Sequence, residues 1–392
     1  MTNHQNKIEK LLTNLCPKGV EFKEIGEICE INRGRVMSKD YLRDNVGEYP
    51  VYSSQTANGG VFGYIKTYDY DGEYVTWTTD GANAGSVFYH YGKFSITNVC
   101  GLLKQKRKDL NTKYLLYSLG IVAKSYVNAG MGNPKLMSNV MEKIKIPFPP
   151  LAVQEEIVKI LNSFSELEAE LEAELEARKK QYSYYRDELL NIKEVEYKTL
   201  GEIGTLIRGN GLQKKDFAES GIGCIHYGQI YTYYGTFADK TKSFVSPELA
   251  KKLKKAQKGD VLIAGVSENI EDVCKPLGWL GGEICISGDM FAFRHNQNTK
   301  FITYLLQTTN FHKFKEKYAQ GAKVTRVKAD KILNFKIPIP SLKEQERIVS
   351  ILDNFDVLTN NISIGLPAEL QARRSQYEYY RSKLLTFNEY VN

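Results

Sequence analysis

A chain of 392 residues with 42% hydrophobic content is long enough for two or three domains and apolar enough to build real cores, which excludes a disordered or staple-dependent peptide. Six cysteines at irregular spacings (Cys16, Cys29, Cys100, Cys224, Cys274 and Cys285), without a Cys-x-x-Cys pair, exclude a zinc ribbon or disulfide framework, and no run approaches the roughly 18 apolar residues of a membrane span. The net charge of +7 is unevenly placed, because residues 166–177 hold six Glu and no base, so that removing them leaves +13 on the rest. A basic body with one acidic stretch points to a polyanionic partner.

In chain order, the polar start MTNHQNKIEKLL lacks the apolar centre of a signal peptide and reads as an N-terminal helical arm over 1–17. With the reduced-thiol cysteine pattern, it predicts a soluble, cytoplasmic protein. Next comes a segment rich in Gly, Tyr, Thr and Val. Alternation over Glu73–Thr78 predicts a strand, and Asn58-Gly59 and Asp80-Gly81 predict turns. At Ile146-Pro147-Phe148-Pro149 the character changes. Pro150 suits a first helical turn, and apolar residues recur at Ile157, Leu161, Phe164, Leu171, Leu175, Tyr182, Tyr185 and Leu189, close to a 3.5-residue period. Ser165 with Glu168 forms a capping box that predicts a fresh helix start there. Glu166–Ala177 is three copies of Glu-Leu-Glu-Ala, whose leucines at 167, 171 and 175 are expected on one face. Its like charges call for bases opposite, such as Arg373 and Arg374, unless the run is simply a solvated face.

The chain then repeats itself. VEFKEIGEI at 20–28 returns as VEYKTLGEI at 195–203, and Arg33-Gly34 as Arg208-Gly209. IKIPFPPLAVQEEIVKILNSF from Ile144 returns as FKIPIPSLKEQERIVSILDNF from Phe335, and the tyrosine cluster at 182–186 returns at 377–381. The chain is therefore a tandem duplication whose middles have drifted. In the second copy the alternating run Gly259–Ala264 predicts a strand, Pro340 a helix start, and Gly365 with Pro367 a break in the helix. The predicted fold class is α+β: two β-rich domains over 18–148 and 194–339, each followed by an amphipathic helical region, 149–193 and 340–392. The two long helices are expected to pair antiparallel and to relate the domains by a pseudo-two-fold axis.

No catalytic constellation is present. Gly-x-Gly-x-x-Gly before a helix, Gly-x4-Gly-Lys-Ser/Thr, His-Glu-x-x-His and the Asn/Asp-Pro-Pro-aromatic of amino-methyltransferases are all missing, and the five histidines are scattered. Glu21-Phe22-Lys23 and Glu196-Tyr197-Lys198 could be half of a nuclease metal site, but alternation at the start of a strand explains both. A binding protein is the reading left.

The Pro17-x-Gly19-Val20-Glu21-Phe22 element, the Ile-Pro-x-Pro-x-Leu-x-x-Gln-Glu runs at 146–155 and 337–346, and the Tyr-x-Tyr-Tyr-Arg helix ends resemble the specificity subunits of type I restriction-modification enzymes. The resemblance covers essentially the whole chain. It implies two target recognition domains, each reading one half of a split, asymmetric sequence in double-stranded DNA, and helices that set the gap and dock two modification subunits. Those partners would bind S-adenosylmethionine and methylate adenine; restriction motor-nuclease subunits, using ATP with Mg, can join. The chain itself is expected to be non-catalytic, to hold no cofactor or metal and to touch no membrane. The competing readings are a stand-alone coiled-coil scaffold and a nuclease with an unrecognised site.

DNA contacts are expected from loop residues able to reach phosphates or groove edges. In the first domain these are Arg33, Lys39, Ser54, Gln55, Asn58, Thr79, Asn83, Asn133 and Lys135. In the second they are Arg208, Lys214, His226, Tyr227, Gln229, Ser267, Glu268, Asn269, Lys323, Thr325 and Arg326, with Lys135 and Lys323 near equivalent places. The basic run Lys251–Lys258 either tracks phosphates or forms an exposed helix face, and Arg33 and Arg208 either hold the DNA backbone or shape a turn. Partner contacts are expected at Gln154, Glu155, Tyr182, Tyr185, Arg186, Gln345, Glu346, Tyr377, Tyr380 and Arg381, the tyrosines packing between helices or against a modification subunit.

Overall fold

The computed structural model describes residues 2–130, 132–321, 324–360 and 365–389. The chain divides into two compact units, residues 1–169 with 372–392 and residues 170–371.

In unit one, helix α1 (Thr2–Leu15) precedes strands β1 (Phe22–Glu24) and β2 (Cys29–Arg33), helix α2 (Lys39–Asp44), and strands β3 (Val46–Tyr52), β4 (Val61–Ile65), β5 (Tyr70–Thr78), β6 (Val87–Ile96) and β7 (Cys100–Gln105). Helix α3 (Thr112–Val122) and strand β8 (Lys145–Pro147) complete it before the long helix α4 (Leu151–Leu190). β1 pairs antiparallel with β8, Phe22 opposite Pro147, while the others form one sheet in the order β2-β7-β5-β6-β3-β4. Period-two alternation divides the side chains. Val75, Trp77 and Leu103 pack with α3 through Tyr114, Leu115 and Leu119. On the other face Phe94, Ile96 and Leu102 gather with Tyr52, Tyr70 and Tyr74.

This sheet has to curl. Phe94 lies opposite Tyr70 and Cys100 opposite Thr78, so straight strands would hold these partners apart by the length of β5, about 26 Å at ~3.3 Å per residue. The six Cα steps from Phe94 to Cys100 span at most about 21 Å. Gly72 and Gly92, register partners with φ of 137° and 91°, allow the bend where a side chain would oppose it.

In unit two the strands are β9 (Tyr197–Thr199), β10 (Gly204–Arg208), β11 (Ile222–Ile225), β12 (Phe237–Ala238), β13 (Ser243–Val245), β14 (Lys255–Ala256), β15 (Val261–Ala264), β16 (Val266–Ser267), β17 (Pro276–Trp279), β18 (Ile284–Ile286), β19 (Met290–His295), β20 (Thr325–Arg326) and β21 (Lys336–Pro338). Helix α5 (Tyr227–Thr232) follows β11, α6 (Pro247–Ala250) follows β13, and α7 (Thr299–Leu305) and α8 (Thr309–Glu316) follow β19. The central sheet runs β10-β19-β15-β17-β12, a second runs β13-β11-β18-β14, and the ribbons β16-β20 and β9-β21 stand apart. Val261, Ile263, Phe291 and Phe293 face α7, whereas Leu262, Ala264, Met290 and Ala292 face the second sheet through Ile225, Ile284 and Ile286. Both faces are covered, so Val261–Ala264 is apolar throughout rather than alternating as the sequence reading had it.

Helix α4 runs unbroken through Ser165, whose hydroxyl donates to Leu161 O at 3.2 Å instead of capping a new start. The return segment is two helices, α9 (Leu342–Asn360) and α10 (Leu366–Leu385), with Pro367 in the first turn of α10. Each four-residue copy turns the helix through about 400°, a drift of ~40° per leucine. Leu175 is accordingly 9% exposed and Leu167 44%, so the three leucines do not share a buried face. Glu168 meets Arg374 at 2.6 Å, one of the bases expected opposite, while the other five glutamates of the run lie on an exposed face. Within unit one Phe164 stacks on Tyr380 at 5.5 Å and lies 6.2 Å from Tyr377, so α4 and α10 run antiparallel there. Within unit two Phe355 of α9 lies 6.4 Å from Tyr182 and 5.7 Å from Tyr185. No helix among the described residues is long and apolar enough to cross a membrane.

Candidate nucleic-acid interface

The loops that could read DNA hang on one backbone device used twice. Arg33 Nε donates to Asn98 O at 3.2 Å, and Arg208 Nε donates to Gly288 O at 3.1 Å. Asn98 stands three residues before Gly101, the register partner of Arg33; Gly288 stands three before Phe291, the partner of Arg208. A Cβ on the following glycine would lie 2.0 Å from Ile96 O at Gly34 and 2.1 Å from Ser287 O at Gly209, so only glycine lets the chain pass the turn. The two arginines therefore latch a turn in the protein, the turn-shaping role that was one of the two expected of them.

Around that turn in unit one, Thr97 N–H donates to Tyr52 O at 2.9 Å and its hydroxyl donates to Ser53 Oγ at 2.9 Å. This fixes the loop that carries Ser54, Gln55 and Asn58. The Gln55 amide is committed to Val61 O, while exposed Asn58 takes a left-handed φ of 51° that asparagine tolerates. Thr79 is fully buried, with its hydroxyl on Asp80 Oδ2 at 2.7 Å, and is thereby removed from DNA contact. Asn128 and Lys135 exchange two backbone hydrogen bonds of 2.9 and 3.0 Å, and Leu136 N–H donates to Thr79 O at 2.9 Å. This hairpin brings exposed Asn133 and Lys135 beside exposed Asn83, with Lys135 Nζ 3.7 Å from Asp80. Lys39 is apart from them, starting α2 and lining a groove of about 330 Å³ with Leu42, Arg43, Phe62 and Tyr64.

Unit two repeats the arrangement with other residues. Ser287 N–H donates to Ile225 O at 3.2 Å, and Tyr227 N–H donates to Ser287 Oγ at 2.9 Å, so the start of α5 occupies the station of Ser53-Ser54. His226 caps α5, accepting from Gly228 N–H at 3.2 Å; burial first, and then the charge of Lys214, hold its pKa below the ordinary histidine range. Gln229 is buried, its amide donating to Ser243 Oγ at 2.8 Å, and is therefore removed from groove reading. Ser267 pairs with Thr325 and Val266 with Arg326, while Gln320 and Arg326 exchange bonds of 2.9 and 2.8 Å. Arg326 is thus the counterpart of Lys135; Lys323, expected in that role, lies outside the described residues. Thr325 is buried, whereas Glu268, Asn269 and Arg326 are exposed at this edge, the Asn269 amide being engaged with Asp272 at 2.9 Å. Arg208, Arg326 and Lys328 share the lining of a cavity of about 310 Å³ with Gly288 and Asp289.

Among the residues expected to meet a protein partner, Gln154 and Gln345 are fully buried and cannot do so. Gln154 Oε1 accepts from Asn111 N–H at 2.8 Å while its amide donates to Pro149 O at 2.8 Å and Asp109 O at 3.0 Å. Gln345 likewise accepts from Asn298 N–H at 3.0 Å and donates to Pro340 O at 3.0 Å. Both tie the long helix to the cap of a helix in the preceding β-rich portion, α3 or α7. Tyr182 and Arg186 are buried as well, Arg186 lying over the Tyr182 ring at 5.5 Å and meeting Asp187 at 3.2 Å. Tyr377 and Tyr380 are half-buried on Phe164, and Arg381 covers Tyr377 at 5.5 Å. Glu155, Glu346 and Tyr185 remain exposed. The Glu-x-Lys pairs close on themselves, Glu21 with Lys23 at 3.0 Å and Glu196 with Lys198 at 3.1 Å. Among the described residues no group of three His, Cys, Asp or Glu side chains could hold a metal.

The sequence reading missed the Thr97-Asn98 turn and its counterpart Ser287-Gly288. The signal was present as two small polar residues inside the apolar run FSITNVCGLL.

Comparison with known proteins places this geometry. The family described as "Type I restriction modification DNA specificity domain" matches residues 17–177 and again 192–372. A putative type I specificity subunit of Mycoplasma pneumoniae is 35% identical over 93% of this chain and 97% of its own length. A putative type I restriction enzyme specificity subunit of Haemophilus influenzae is 35% identical over 99% of this chain and all of its own. Among solved structures, one described in terms of complex assembly and conformational transition of the type I R-M system has a TM-score of 0.62 over 94% of this chain and 98% of that one, at 15% identity.

Proposed function

The chain belongs to the family of type I restriction-modification DNA specificity subunits, and from that premise we propose that it is the non-catalytic recognition subunit of such a complex. Each β-rich portion, 18–148 and 194–339, reads one half of a bipartite DNA target. The helical portions, 149–193 and 340–392, set the gap and dock two modification subunits, which supply S-adenosylmethionine and methylate adenine. Restriction subunits using ATP and Mg would act on unmodified DNA.

The observation that carries this reading is the doubled latch. Two arginine-glycine turns hold equivalent loop stations, and those stations present different side chains: Asn58, Asn83, Asn133 and Lys135 in one unit, Tyr227, Glu268 and Arg326 in the other. A common frame with different groove-reaching groups suits two unlike half-sites and a non-palindromic target. The three Glu-Leu-Glu-Ala copies lie inside the continuous α4, where each adds about 6 Å, against roughly 3.4 Å per base-pair step.

Single-molecule methylome sequencing tests the proposal in cells expressing the modification subunit with this chain, without it, and with one Glu-Leu-Glu-Ala copy deleted. The expected result is a split adenine-methylated motif that vanishes without the chain and keeps both half-sites across a shorter gap after the deletion. Identical methylomes with and without the chain, both proteins being expressed, would reject the recognition role; an unchanged gap would reject the helix as spacer.

A further inference from the structure

We propose that the loop Lys251–Lys254 in unit two is a phosphate-holding ridge that grips the DNA backbone beside the second reader, a contact without counterpart in unit one. The inference rests on the recognition role above and adds where, and on which side, the duplex is held by charge.

The loop follows the short helix α6 and exposes Lys251, Lys252 and Lys254, while Leu253 is buried against Leu212. A solvated run of lysines needs no fixed backbone, but this one is pinned. Asn210 Nδ2 donates to Lys252 O at 3.0 Å, and Asn210 Oδ1 accepts from Lys254 N–H at 2.6 Å. Asn210 stands two residues beyond Arg208, next to the glycine that passes the latched turn, and its Cα lies 3.6 Å from where a Cβ on Gly288 would sit. The lysines are therefore registered to the same turn that positions Tyr227. Lys214 and Lys215 are exposed on the segment between Asn210 and Phe217, and Lys214 is close enough to His226 for its charge to lower that pKa.

The nearby carboxylates leave these lysines in excess. Asp216 accepts from Gln213 N–H at 2.8 Å, Glu283 meets Lys255 at 3.2 Å, and Glu248 stands in the first turn of α6. Exposed ammonium groups held in register along a loop, without bidentate forks, suit the point charges of a sugar-phosphate strand better than base edges.

Unit one spends the same position differently. Arg35, directly after Gly34 as Asn210 is after Gly209, meets Asp69 at 3.2 Å and donates to Tyr41 Oη at 3.2 Å. It pins no lysine loop, so the electrostatic hold is expected to be stronger on the second half-site.

The test measures duplex affinity against salt for the full chain with its modification subunits. The variants are Lys251→Gln/Lys252→Gln/Lys254→Gln, the matching triple Lys→Arg, and as a control Lys104→Gln/Lys143→Gln/Lys145→Gln in unit one. With about 0.9 in the log–log salt slope per phosphate neutralised, the Gln triple should lower the slope by roughly 2–3 while the methylated motif stays the same. The Arg triple and the control should keep the wild-type slope. A wild-type slope in the Gln triple would overturn the ridge while leaving the recognition role intact. A changed motif would mean that these lysines read bases, which also overturns it. Wild-type protein without salt-dependent duplex binding would remove the recognition role and this inference together.

Discussion

Unit one builds its reader from a single curled sheet, while unit two uses a central sheet with a second one laid on it. Strand for strand, β6 of unit one corresponds to β17 and β18 of unit two: Val87 pairs with Trp77 as Pro276 pairs with Ile263, and Ile96 pairs with Tyr52 as Ile286 pairs with Ile225. One unit bends the strand at Gly92, opposite Gly72 of β5; the other interrupts it between Trp279 and Ile284. The features kept across this difference are hydrogen bonds to backbone, made by Arg33 and Arg208, by Gln154 and Gln345, and by the Lys135 and Arg326 hairpins. Apolar packing tolerates replacement as long as volume and pattern are kept. A directional bond to a backbone group tolerates only a partner of the right kind in the right place.

The severest way to break that equivalence is at the glycines. Gly34→Val or Gly209→Val places a side chain inside a backbone contact, and each should cost about 3 kcal/mol in urea unfolding and erase only its own half-site from the methylated motif. Unchanged stability together with both half-sites intact would show that the turn is not the shared frame.

Acid should act on both units alike. Burial draws His90 and His295 down from 6.5 to about 4, His90 being stacked on Tyr52 at 3.6 Å. Unfolded histidine binds its proton first, so the stability due to each neutral ring is whole above about pH 6.5 and is lost as pH falls towards 4, up to about 2–3 kcal/mol apiece. Urea midpoints at pH 7.5 and pH 5 check this, and a His90→Phe protein should lose the acid sensitivity of unit one while keeping that of unit two. Equal midpoints at the two pH values would contradict the burial argument.

The smallest effect sharpens the comparison most. Arg326→Ala should weaken duplex binding by ~2 kcal/mol and Lys135→Ala by ~1 kcal/mol, since a guanidinium can hold two acceptors and an ammonium holds its partner as a point charge. Each should act through its own half-site alone; an effect of either on the other half-site would separate the two residues in role despite their shared register.

Much of this frame was legible in the sequence. The repeated VEFKEIGEI and IKIPFPP motifs turn out to be the two sides of the β1-β8 and β9-β21 ribbons, and the tyrosine clusters meet the phenylalanines that end the repeated helix motif. Other parts were hidden for physical reasons. A glutamine on a helix reads as solvated until the carbonyls of Asp109 and Pro149 are brought to it. The Lys135 and Arg326 equivalence is masked because one hairpin closes from Asn128 and the other from Gln320, one residue apart in length. Leu167 looked interior because four residues approximate a turn, and the residual 40° becomes visible only when a partner surface is present.

The β1-β8 and β9-β21 ribbons carry a further consequence. Phe22 lies opposite Pro147 and Tyr197 opposite Pro338, so the chain leaves each reader across a strand pair from where it came in, about 5 Å away. In engineering terms the helices offer a socket, and everything between its two contacts is a cartridge. A lineage that exchanges cartridges acquires a new address on the genome without redesigning the machine that goes there.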